Sequence, residues 1–388
     1  MTEFPRIHLG LVSQAISGSG FPLDMQGQED LELPFHKVGS LAHTDESNYL
    51  SVAQNSITRE TAAVLGASII PPESTVLAKI GEAVRLARFA MVNKQCCIDN
   101  NMVALVPKLE RVMPRFFNYA LHTADIEFLM NPGTIPTLNI RALRAFDIPL
   151  PDLETQRRIA DYLDKEISEM DAMIEEFEGL VGSLRYRKKR FVEFEFQKSE
   201  RWNLVPQRLK LLVDSEDNRR VPIDSGDRKD IQGEYPYYGA SGVIDYVNDY
   251  IWDNEKRLLV SEDGANLAMR NHPIAFVADG QYWVNNHAHV LKPRHNYPAE
   301  LLAAAIEISP IHHLITGSAQ PKLTAFNMGE IAFPFPKDTD SAISMNVFIQ
   351  EELSRMDALI EESTRLIENL KARKTALITE VVTGRKEV

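Results

Sequence analysis

The sequence predicts an α+β protein in which two α/β domains are joined by two long antiparallel coiled-coil helices. Three observations support this fold class. The chain repeats itself at long range, each half ends in a heptad pattern of apolar residues, and the other segments carry short apolar runs bounded by turn residues. A chain of 388 residues is also too long for one ordinary core. An internal pseudo-repeat, with one domain and one helix in each copy, accounts for these features together.

The repeat is clearest in Glu169–Glu176, which is identical to Arg355–Glu362 at six of eight positions. These segments are 186 residues apart, and upstream Ile148–Pro151 corresponds to Phe333–Pro336 at an offset of 185. Farther upstream, residues 97–107 align with a segment at the 186-residue offset. Because this period exceeds the 20–50 residues of a solenoid unit, we interpret the chain as two copies of one module. Each module is a globular domain followed by a helix.

The repeat divides the chain into four parts. Residues 1–150 are predicted to form the first domain and residues 151–200 the first helix. Residues 201–336 are predicted to form the second domain and residues 337–388 the second helix. A helix of about 45 residues rises 1.5 Å per residue and is therefore ~65 Å long.

Apolar residues alternate in steps of four and three along both helices, which is the a/d pattern of a coiled-coil seam. The seam residues are Leu163, Ile167, Met170, Ile174, Phe177, Val181 and Leu184 in the first helix, and Ile349, Leu353, Met356, Ile360, Ile367 and Leu370 in the second. Lys188 and Lys374 interrupt the pattern at matched positions. We expect the helices to pair in antiparallel orientation, with the domains at opposite ends. The alternative is that each amphipathic helix lies on its own domain.

The globular segments predict mixed α/β structure. Short apolar runs bounded by Gly, Asn or Pro predict strands over residues 76–80, 258–261 and 274–277. Helical patterns predict Arg115–Leu129 and Ala299–Ile308 as helices.

The composition predicts a cytoplasmic protein without membrane contact. No apolar run approaches the ~20 residues that cross a bilayer, and the start of the chain has no basic segment followed by an apolar stretch, so we expect no signal peptide. Cys96 and Cys97 are adjacent, which excludes a disulfide framework and a CxxC metal site. We interpret them as two small buried residues of a strand.

The net charge of −13 argues at first against a nucleic-acid partner, because phosphate neutralisation needs Lys and Arg at the contact surface. Acidic residues are concentrated in Glu154–Glu178 and Glu351–Glu368, however. A negative total can therefore coexist with a basic face elsewhere.

Motifs of catalysis are missing from the sequence. It contains no GxxxxGK[ST] phosphate loop, and Gly18-Ser-Gly20 is followed by Phe21-Pro22, which indicates a turn. It also lacks the Asn/Asp-Pro-Pro-Tyr/Phe segment with which amino-methylating DNA enzymes grip a flipped base. His287 and His289 lack a third metal ligand at suitable spacing, so we interpret them as a structural or contact pair. We therefore expect no catalytic residue and no metal site.

Several segments resemble the specificity subunits of type I restriction-modification systems, over nearly the full chain. Residues 148–164 resemble the opening of the conserved helix of that family, although the second copy lacks the Glu-x-Gln-x-x-Ile pattern of Glu154–Ile159. Other resembling segments are Met170–Ile174, Met356–Ile360 and Thr379–Arg385 in the helices, and Phe35–Gly39, Tyr235–Ile244, Ser261–Asn266 and Trp283–Val290 in the domains.

The resemblance implies a non-catalytic subunit that binds double-stranded DNA. Its two domains would be target-recognition domains, each reading one half of a split, asymmetric site, and its helices would bind two methyltransferase subunits. Adenine N6 methylation with S-adenosylmethionine would belong to the methyltransferase subunits. Translocation and cleavage with ATP and Mg²⁺ would belong to restriction (motor) subunits, so we expect no cofactor in this chain. Half-sites recur every ~34–36 Å along DNA, a scale that the helical pair could span as a spacer.

Candidate DNA contacts follow from side-chain chemistry, because Arg, Lys, Asn and Gln read base edges while Lys, Arg, Ser and Thr bind phosphates. The candidates are Ser17, Ser19, Lys37, Arg85 and Arg88 in the first domain, and Arg219, Arg220, Tyr238, Ser241, Asn266 and Lys322 in the second. The basic run Arg185–Arg190 is repeated in Lys371–Lys374, and it either contacts phosphates or has a role shared by both helix ends.

Two alternatives remain on sequence grounds. The chain could be a stand-alone DNA-modifying enzyme, which the missing motifs disfavour. It could also be a coiled-coil adaptor without DNA binding, which the two large non-identical domains disfavour.

Overall fold

The computed structural model describes residues 4–317 and 320–388. The chain divides into two compact units, one formed by Met1–Gly179 with Thr364–Val388 and the other by Leu180–Ser363. Each unit combines one globular domain with parts of both long helices. The division therefore passes through the helices rather than between the two copies of the repeat.

The first unit alternates short strands with short helices. In chain order its elements are β1 (Arg6–His8), α1 (Leu9–Val12), β2 (Ser13–Ser17), β3 (Leu33–His36), β4 (Ser56–Ile57), α2 (Arg59–Val64), β5 (Thr75–Ala78), β6 (Ala90–Met91), β7 (Cys97–Ile98), β8 (Met102–Pro107), α3 (Pro114–Leu121), β9 (Met130–Asn131), β10 (Thr137–Leu138), α4 (Ile140–Ala145), β11 (Asp147–Pro149) and the first part of α5 (Leu153–Gln197). All four residues of β5 are buried, which explains the continuous apolar run there.

Two small sheets organise this unit. The first has the antiparallel order β2-β8-β5-β6, and the second has the order β4-β3-β7, in which β3 and β7 are parallel. In addition, β1 pairs with β11 and β9 pairs with β10. Cys96 and Cys97 are fully buried, as predicted; Cys97 lies in β7, whereas Cys96 precedes it and forms an isolated β-bridge with Ile70.

The helix expected over Arg115–Leu129 is shorter than predicted. α3 begins with Pro114 at its first position and ends at Leu121. Beyond it, the Thr123 hydroxyl donates to the Ala120 carbonyl at 2.7 Å, and the Asp125 side chain accepts the Glu127 amide at 3.1 Å. These local bonds favour turns over a continued helix, and a separate 3₁₀ turn follows at Glu127–Leu129.

The second unit follows the same plan. Its elements are β12 (Leu204–Arg208), α6 (Leu209–Leu212), β13 (Val213–Ser215), α7 (Ser225–Arg228), β14 (Gln232–Gly239), β15 (Gly242–Val247), β16 (Arg257–Ser261), α8 (Asn266–Met269), β17 (Ala275–Ala278), β18 (Trp283–Val284), β19 (Ala288–Pro293), α9 (Ala299–Ile308), α10 (Ala325–Gly329), β20 (Ala332–Pro336), the last part of α5 and the first part of α11 (Thr339–Val382), whose last part belongs to the first unit. The strands expected at 258–261 and 274–277 correspond to β16 and β17, and α9 has the predicted bounds.

Strand order shows that the sequence repeat is a repeat of topology. The sheets of the second unit have the orders β13-β19-β16-β17 and β15-β14-β18, with β14 and β18 parallel. β12 pairs with β20 as β1 pairs with β11. The main difference is the β14–β15 hairpin, which is longer than the β3–β4 pair.

Both long helices begin at the same kind of cap. Asp152 accepts the Thr155 amide at 2.9 Å before α5, and Asp338 accepts the Ser341 amide at 2.9 Å before α11. Hydrogen bonds from each helix start lower the pKa of both aspartates. The matched caps explain why α11 starts in register although the second copy lacks the Glu-x-Gln-x-x-Ile pattern.

Ion pairs join the two long helices in each unit, and in the first unit they define the relative direction of the helices. In the first unit, Lys374 lies 2.6 Å from Asp171 and Lys371 lies 3.0 Å from Glu178. Residue numbers thus fall along α11 as they rise along α5, and the helices are antiparallel. In the second unit Lys188 pairs with an aspartate of α11, Asp357, which matches Asp171 in the repeat. Lysines of both basic runs therefore bond carboxylates of the other helix.

Every predicted seam residue is buried or half-buried. The ends of the helices also complete the domain cores. In the first unit, Leu163 and Ile167 of α5 share a core with Leu377 and Val381 of α11 and with residues of the sheet. In the second, Ile349 joins a core that includes Leu258 and Leu302. The helices therefore pack both on each other and on the domains.

Candidate nucleic-acid interface

Polar side chains of the first unit gather where β2, β3 and β5 end and where β7 turns into β8. The Gly18 amide donates to the Met102 carbonyl at 3.1 Å, and the Ser19 amide donates to the Ile98 carbonyl at 3.0 Å. These bonds join the end of β2 to the β7–β8 turn. The resulting first strand-end surface comprises Ser17, Ser19, Lys37, Lys79, Asp99 and Asn101.

Asp99 lies at the centre of this surface. Its carboxylate accepts the Asn101 amide at 2.8 Å, which closes the β7–β8 turn. Burial raises the pKa of Asp99, and the backbone bonds and the charges of Lys37 and Lys79 oppose that rise. The Lys79 amide in turn donates to the Asn101 carbonyl at 2.8 Å. The surface therefore combines one carboxyl, one amide, two hydroxyl and two cationic side chains.

Close backbone approach makes a glycine necessary at position 18. A Cβ atom there would lie 1.9 Å from the Asp99 carbonyl oxygen and 2.4 Å from the Ile98 carbonyl oxygen. Both oxygens belong to the backbone, so neither can rotate out of the way. Gly18-Ser-Gly20 thus serves a tight connection, in agreement with its interpretation as a turn.

The second unit builds the equivalent surface. The Asn285 side chain accepts the His287 amide at 2.8 Å, which closes the β18–β19 turn as in the first unit. The Glu262 amide donates to the His287 carbonyl at 2.9 Å, in the position of the Lys79 amide bond. The second strand-end surface comprises Glu262, Asp263, Asn285, His287 and Lys322.

A glycine with positive φ occupies the same point beside both surfaces. Gly81 has a φ of 90° and donates its amide to the Pro136 carbonyl at 2.8 Å. Gly264 has a φ of 102° and donates its amide to the Pro321 carbonyl at 3.0 Å. Because φ values in this region favour glycine, the two sequences retain it here and keep the same backbone path.

Side chains at equivalent positions differ although the backbone is shared. Lys79 occupies the position of Glu262, and Asn101 occupies that of His287, as the matched hydrogen bonds show. The charge and the donor–acceptor pattern therefore change from one surface to the other. One framework presenting two chemical patterns suits a protein that binds two different versions of one class of ligand.

Buried ion pairs lie beneath the side chains of the second strand-end surface. His289 is only 2% exposed, and its ring nitrogens lie 2.7 Å from the Asp217 carboxylate and 2.9 Å from the Leu323 carbonyl oxygen. Burial lowers the pKa of His289, but the bonds to these two acceptors outweigh it and leave the pKa raised. Glu262 accepts hydrogen bonds from Arg220 at 2.7 Å. This charged cluster holds β16 and β19 in register at their ends.

The sequence pattern of the type I restriction modification DNA specificity domain matches residues 32–176 and 205–373, more than half of the chain. The chain belongs to the type I restriction-modification DNA specificity family. Each matched segment contains the turn on which one strand-end surface is centred. The family is defined by DNA specificity rather than by a catalytic activity.

Relatives of known sequence or structure belong to the same systems. A protein of Haemophilus influenzae named for a type I restriction enzyme specificity subunit is 30% identical over 145 residues, which cover 37% of this chain and 35% of that protein. The matched part thus spans about a third of that relative.

Two solved chains share the specificity-subunit fold. A chain of a type I restriction-modification system studied for complex assembly and conformational transition has a TM-score of 0.73 at 13% identity, covering 100% of this chain and 99% of that one. The HsdS subunit of Thermoanaerobacter tengcongensis has a TM-score of 0.51 at 12% identity, covering 99% and 97%.

Predicted DNA contacts of the first recognition unit fall into two groups. Ser17, Ser19 and Lys37 lie together on the first strand-end surface, where Lys37 also lies 5.9 Å from the centre of the Phe21 ring. Arg85 and Arg88 lie elsewhere, on the loop between β5 and β6. The sequence therefore identified one surface and one separate loop, and their contact with DNA stays a prediction.

Arginine candidates of the second recognition unit are paired with carboxylates, and their contact with DNA stays a prediction. Arg219 bonds Glu216 at 2.9 Å and Glu255 at 3.0 Å, and its guanidinium lies over the Trp252 ring. Arg220 is mostly buried and bonds Glu262. Glu216 lies three residues before Arg219, whereas Glu255 and Glu262 lie far away in sequence, and together they engage both guanidinium groups within the unit.

The other candidates of this unit have mixed positions. Lys322 lies on the second strand-end surface, 3.2 Å from Glu262. Ser241 is exposed at the tip of the β14–β15 hairpin, whereas Tyr238 is half-buried against Phe276 and Tyr282. The Asn266 side chain bonds the backbone of His272 and closes a loop, so its amide is engaged within the protein.

The sequence analysis missed Lys79 and Asn101, and it interpreted His287 with His289 as a structural or contact pair without placing either among the candidate DNA contacts. His287 lies 2.9 Å from the Asp263 carboxylate. A signal for these positions existed, because the repeat aligns residues 97–101 with residues 283–287.

Within residues 4–317 and 320–388, no cluster of three or more His, Cys, Asp or Glu side chains could hold a metal ion. No helix in the described part of the chain is long and apolar enough to span a membrane.

Proposed function

We propose that the chain is the DNA-recognition subunit of a type I restriction-modification complex, in which each recognition unit reads one half of a bipartite, asymmetric site in double-stranded DNA. The observation that carries this proposal is the pair of strand-end surfaces, which share a backbone and differ in side chains. Two copies of one framework with different reading groups fit two half-sites of different sequence.

The side chains of both surfaces suit base reading in the major groove. Asn101 can bond adenine with its amide, and Lys37 and Lys79 can donate to guanine. In the second unit, Asp263 accepts the Nδ1 proton of His287 and leaves Nε2 for a base edge. Ser17 and Ser19 can bond phosphates, which position the protein without reading sequence.

The helices fit the role of a spacer between half-sites. α5 has 45 residues and α11 has 44, which gives each a length of about 65 Å. Ion pairs and a buried seam stiffen the pair within each unit. We infer that this length contributes to the gap between the two half-sites.

Catalysis belongs to partner subunits in this proposal. Two methyltransferase subunits would use S-adenosylmethionine for adenine N6 methylation, and restriction subunits would use ATP and Mg²⁺. The chain would act in the cytoplasm without cofactor. A stand-alone DNA-modifying enzyme would be revealed by turnover of the purified chain, and an adaptor without DNA binding by the absence of a DNA shift in the reconstituted complex.

Mapping of methylated adenines tests the proposal at single residues. The chain would be reconstituted with its methyltransferase partner, and the methylated sites of Asn101→Ala and His287→Ala would be compared with those of the unmodified chain. We expect Asn101→Ala to relax one position of the first half-site only, and His287→Ala one position of the second only. A lost base contact corresponds to about 5- to 150-fold in discrimination. Each variant is the control for the other.

Two results would contradict the proposal. If both variants changed the same half-site, the two surfaces would not read separate halves. If neither variant changed any base preference while methylation continued, the strand-end surfaces would not be the reading surfaces.

A further inference from the structure

A second surface recurs in both recognition units, at the start of β2 and β13 rather than at their ends. In the first unit Leu11 of α1 has an exposed leucine side chain, 50% accessible, beside Arg141 and Arg144 of α4. A shallow depression of about 510 Å³ lies here, lined by His8, Gly10, Leu11, Ile140, Arg141, Arg144 and Ala145. Neither arginine has an ion-pair partner among the described residues.

The second unit repeats this arrangement. Leu211 of α6 has a 55% accessible side chain and occupies the position of Leu11. The match is supported by a hydrogen bond, because Lys108 donates to the Leu11 carbonyl at 3.1 Å and Arg294 donates to the Leu211 carbonyl at 3.5 Å. A cation thus holds the carbonyl of an exposed leucine in both units. We call these surfaces the α1 face and the α6 face.

A reciprocal exchange preserves one more cation on each face. In the first unit, a Cβ atom on Gly10 would lie 3.2 Å from both Cβ and Nε of Arg144, so the arginine crosses over the glycine. In the second unit, a Cβ atom on Gly329 would lie 3.2 Å from Cβ of Lys210. Gly329 matches Arg144 and Lys210 matches Gly10, so the glycine and the cation have changed places. The contact and its positive charge persist although the residues differ.

Packing within a unit does not require an exposed leucine, so its recurrence in both units favours a binding partner that is the same at both. The strand-end surfaces differ from each other, as two unlike half-sites require, whereas the α1 and α6 faces keep an exposed leucine and a cation. We propose that each of these faces provides a contact for one methyltransferase subunit beyond the helices, through an apolar socket for the leucine that is flanked by carboxylates. This inference rests on the proposed function, which supplies two identical partners.

A protein partner fits these faces better than the phosphate backbone of DNA. An exposed leucine makes no favourable contact with a phosphate, whereas an apolar anchor within a charged rim is typical of protein interfaces. On the α6 face, Glu330 accepts bonds from both Arg208 and Lys210, so the leucine is surrounded by charges of both signs, as at the polar rim of a protein interface. The α1 face also lies at the start of β2, four residues and about 13 Å from the strand-end surface.

Charge substitution of the leucines tests the docking faces. The variants are Leu11→Asp, Leu211→Asp and the double variant, mixed with the methyltransferase subunit and weighed as intact complexes by native mass spectrometry. At a concentration where the unmodified chain carries two copies, we expect each single variant to carry one and the double variant none. Leu23→Asp and Ile244→Asp are matched controls, because each replaces an exposed apolar side chain elsewhere in the same units. Both control variants should still carry two methyltransferase subunits.

Three outcomes would overturn the inference in different ways. Two bound copies on the double variant would show that the faces do not dock the partner. If that variant also bound DNA less tightly and with a smaller dependence on salt, the faces would contact phosphate instead. No bound copy on the unmodified chain would refute the proposed function itself, and the docking faces with it.

Exchanging the glycine and the cation between positions 10 and 144 distinguishes loss of the cation from a folding defect. Arg144→Gly alone should weaken binding of one methyltransferase subunit, since it removes the cation from the α1 face. Gly10→Lys combined with Arg144→Gly recreates the arrangement of the α6 face and should restore that binding. Equal affinity for the single and the double variant would exclude a role for the cation.

Discussion

Replacement of Gly18 by alanine should disable the first strand-end surface and leave the second intact. The new Cβ would lie 1.9 Å from the Asp99 carbonyl oxygen, more than 1 Å inside ordinary contact. β2 and the β7–β8 turn must therefore separate, which breaks the bonds from the Gly18 amide to Met102 and from the Ser19 amide to Ile98. Two backbone bonds at about 1 kcal/mol each, together with backbone strain, give a loss of about 2–4 kcal/mol in the free energy of unfolding.

Chemical denaturation and methylation mapping would measure the two consequences. Gly18→Ala should lower the denaturation midpoint and abolish preference in the first half-site, while preference in the second half-site persists. Gly20→Ala is the matched control, because a Cβ there would meet nothing within 4 Å. The reasoning would be refuted if Gly18→Ala and Gly20→Ala had equal stability and equal site preference.

Three further predictions concern the helices and the buried cluster. Ile174→Asp should lower the free energy of unfolding by at least the ~2–5 kcal/mol that loss of a buried isoleucine costs. Chemical denaturation would compare it with Met173→Asp, a control at an exposed position, and equal denaturation midpoints would contradict a buried seam. The pKa of His289 is raised on folding, so the stabilisation by its imidazolium should be complete below the unfolded pKa of about 6.5 and lost as the pH rises through the folded pKa. His289→Gln should remove this pH dependence of the free energy of unfolding, and equal pH profiles for the variant and the unmodified chain would argue against the imidazolium. Insertion of four residues after Glu178 should lengthen the gap between half-sites by about one or two base pairs without changing either half, and an active variant with its original gap would exclude the helices as the spacer.

The sequence predicted the large-scale architecture because the relevant signals are periodic. A heptad pattern sustained from Leu163 to Leu184 and again from Ile349 to Leu370 requires a long buried stripe. The repeat then implied that two such helices have matching registers. Apolar runs such as residues 258–261 identified central strands, since burial on both faces leaves no room for polar residues.

The candidate site was less predictable because it depends on distant partners. Glu216 and Asp217 lie three residues before Arg219 and Arg220, but nothing in the sequence indicates that Glu255 and Glu262 also pair with these arginines. The turns that centre both strand-end surfaces follow strands of only two residues, β7 and β18, which are too short for propensity to identify. Candidate residues could therefore be chosen by type, but their exposure depended on the three-dimensional fold.

The ion pairs of the long helices have a consequence for how such proteins diversify. Each helix carries one aspartate and one lysine that pair with the other helix, since Asp171 and Lys188 lie on α5 while their partners Lys374 and Asp357 lie on α11. A module taken from one half of a gene thus brings the same complementary groups as the module that it replaces. Recombination can exchange one recognition unit and leave the helical seam intact, so a new DNA specificity can arise in a single genetic event rather than by stepwise mutation of an interface.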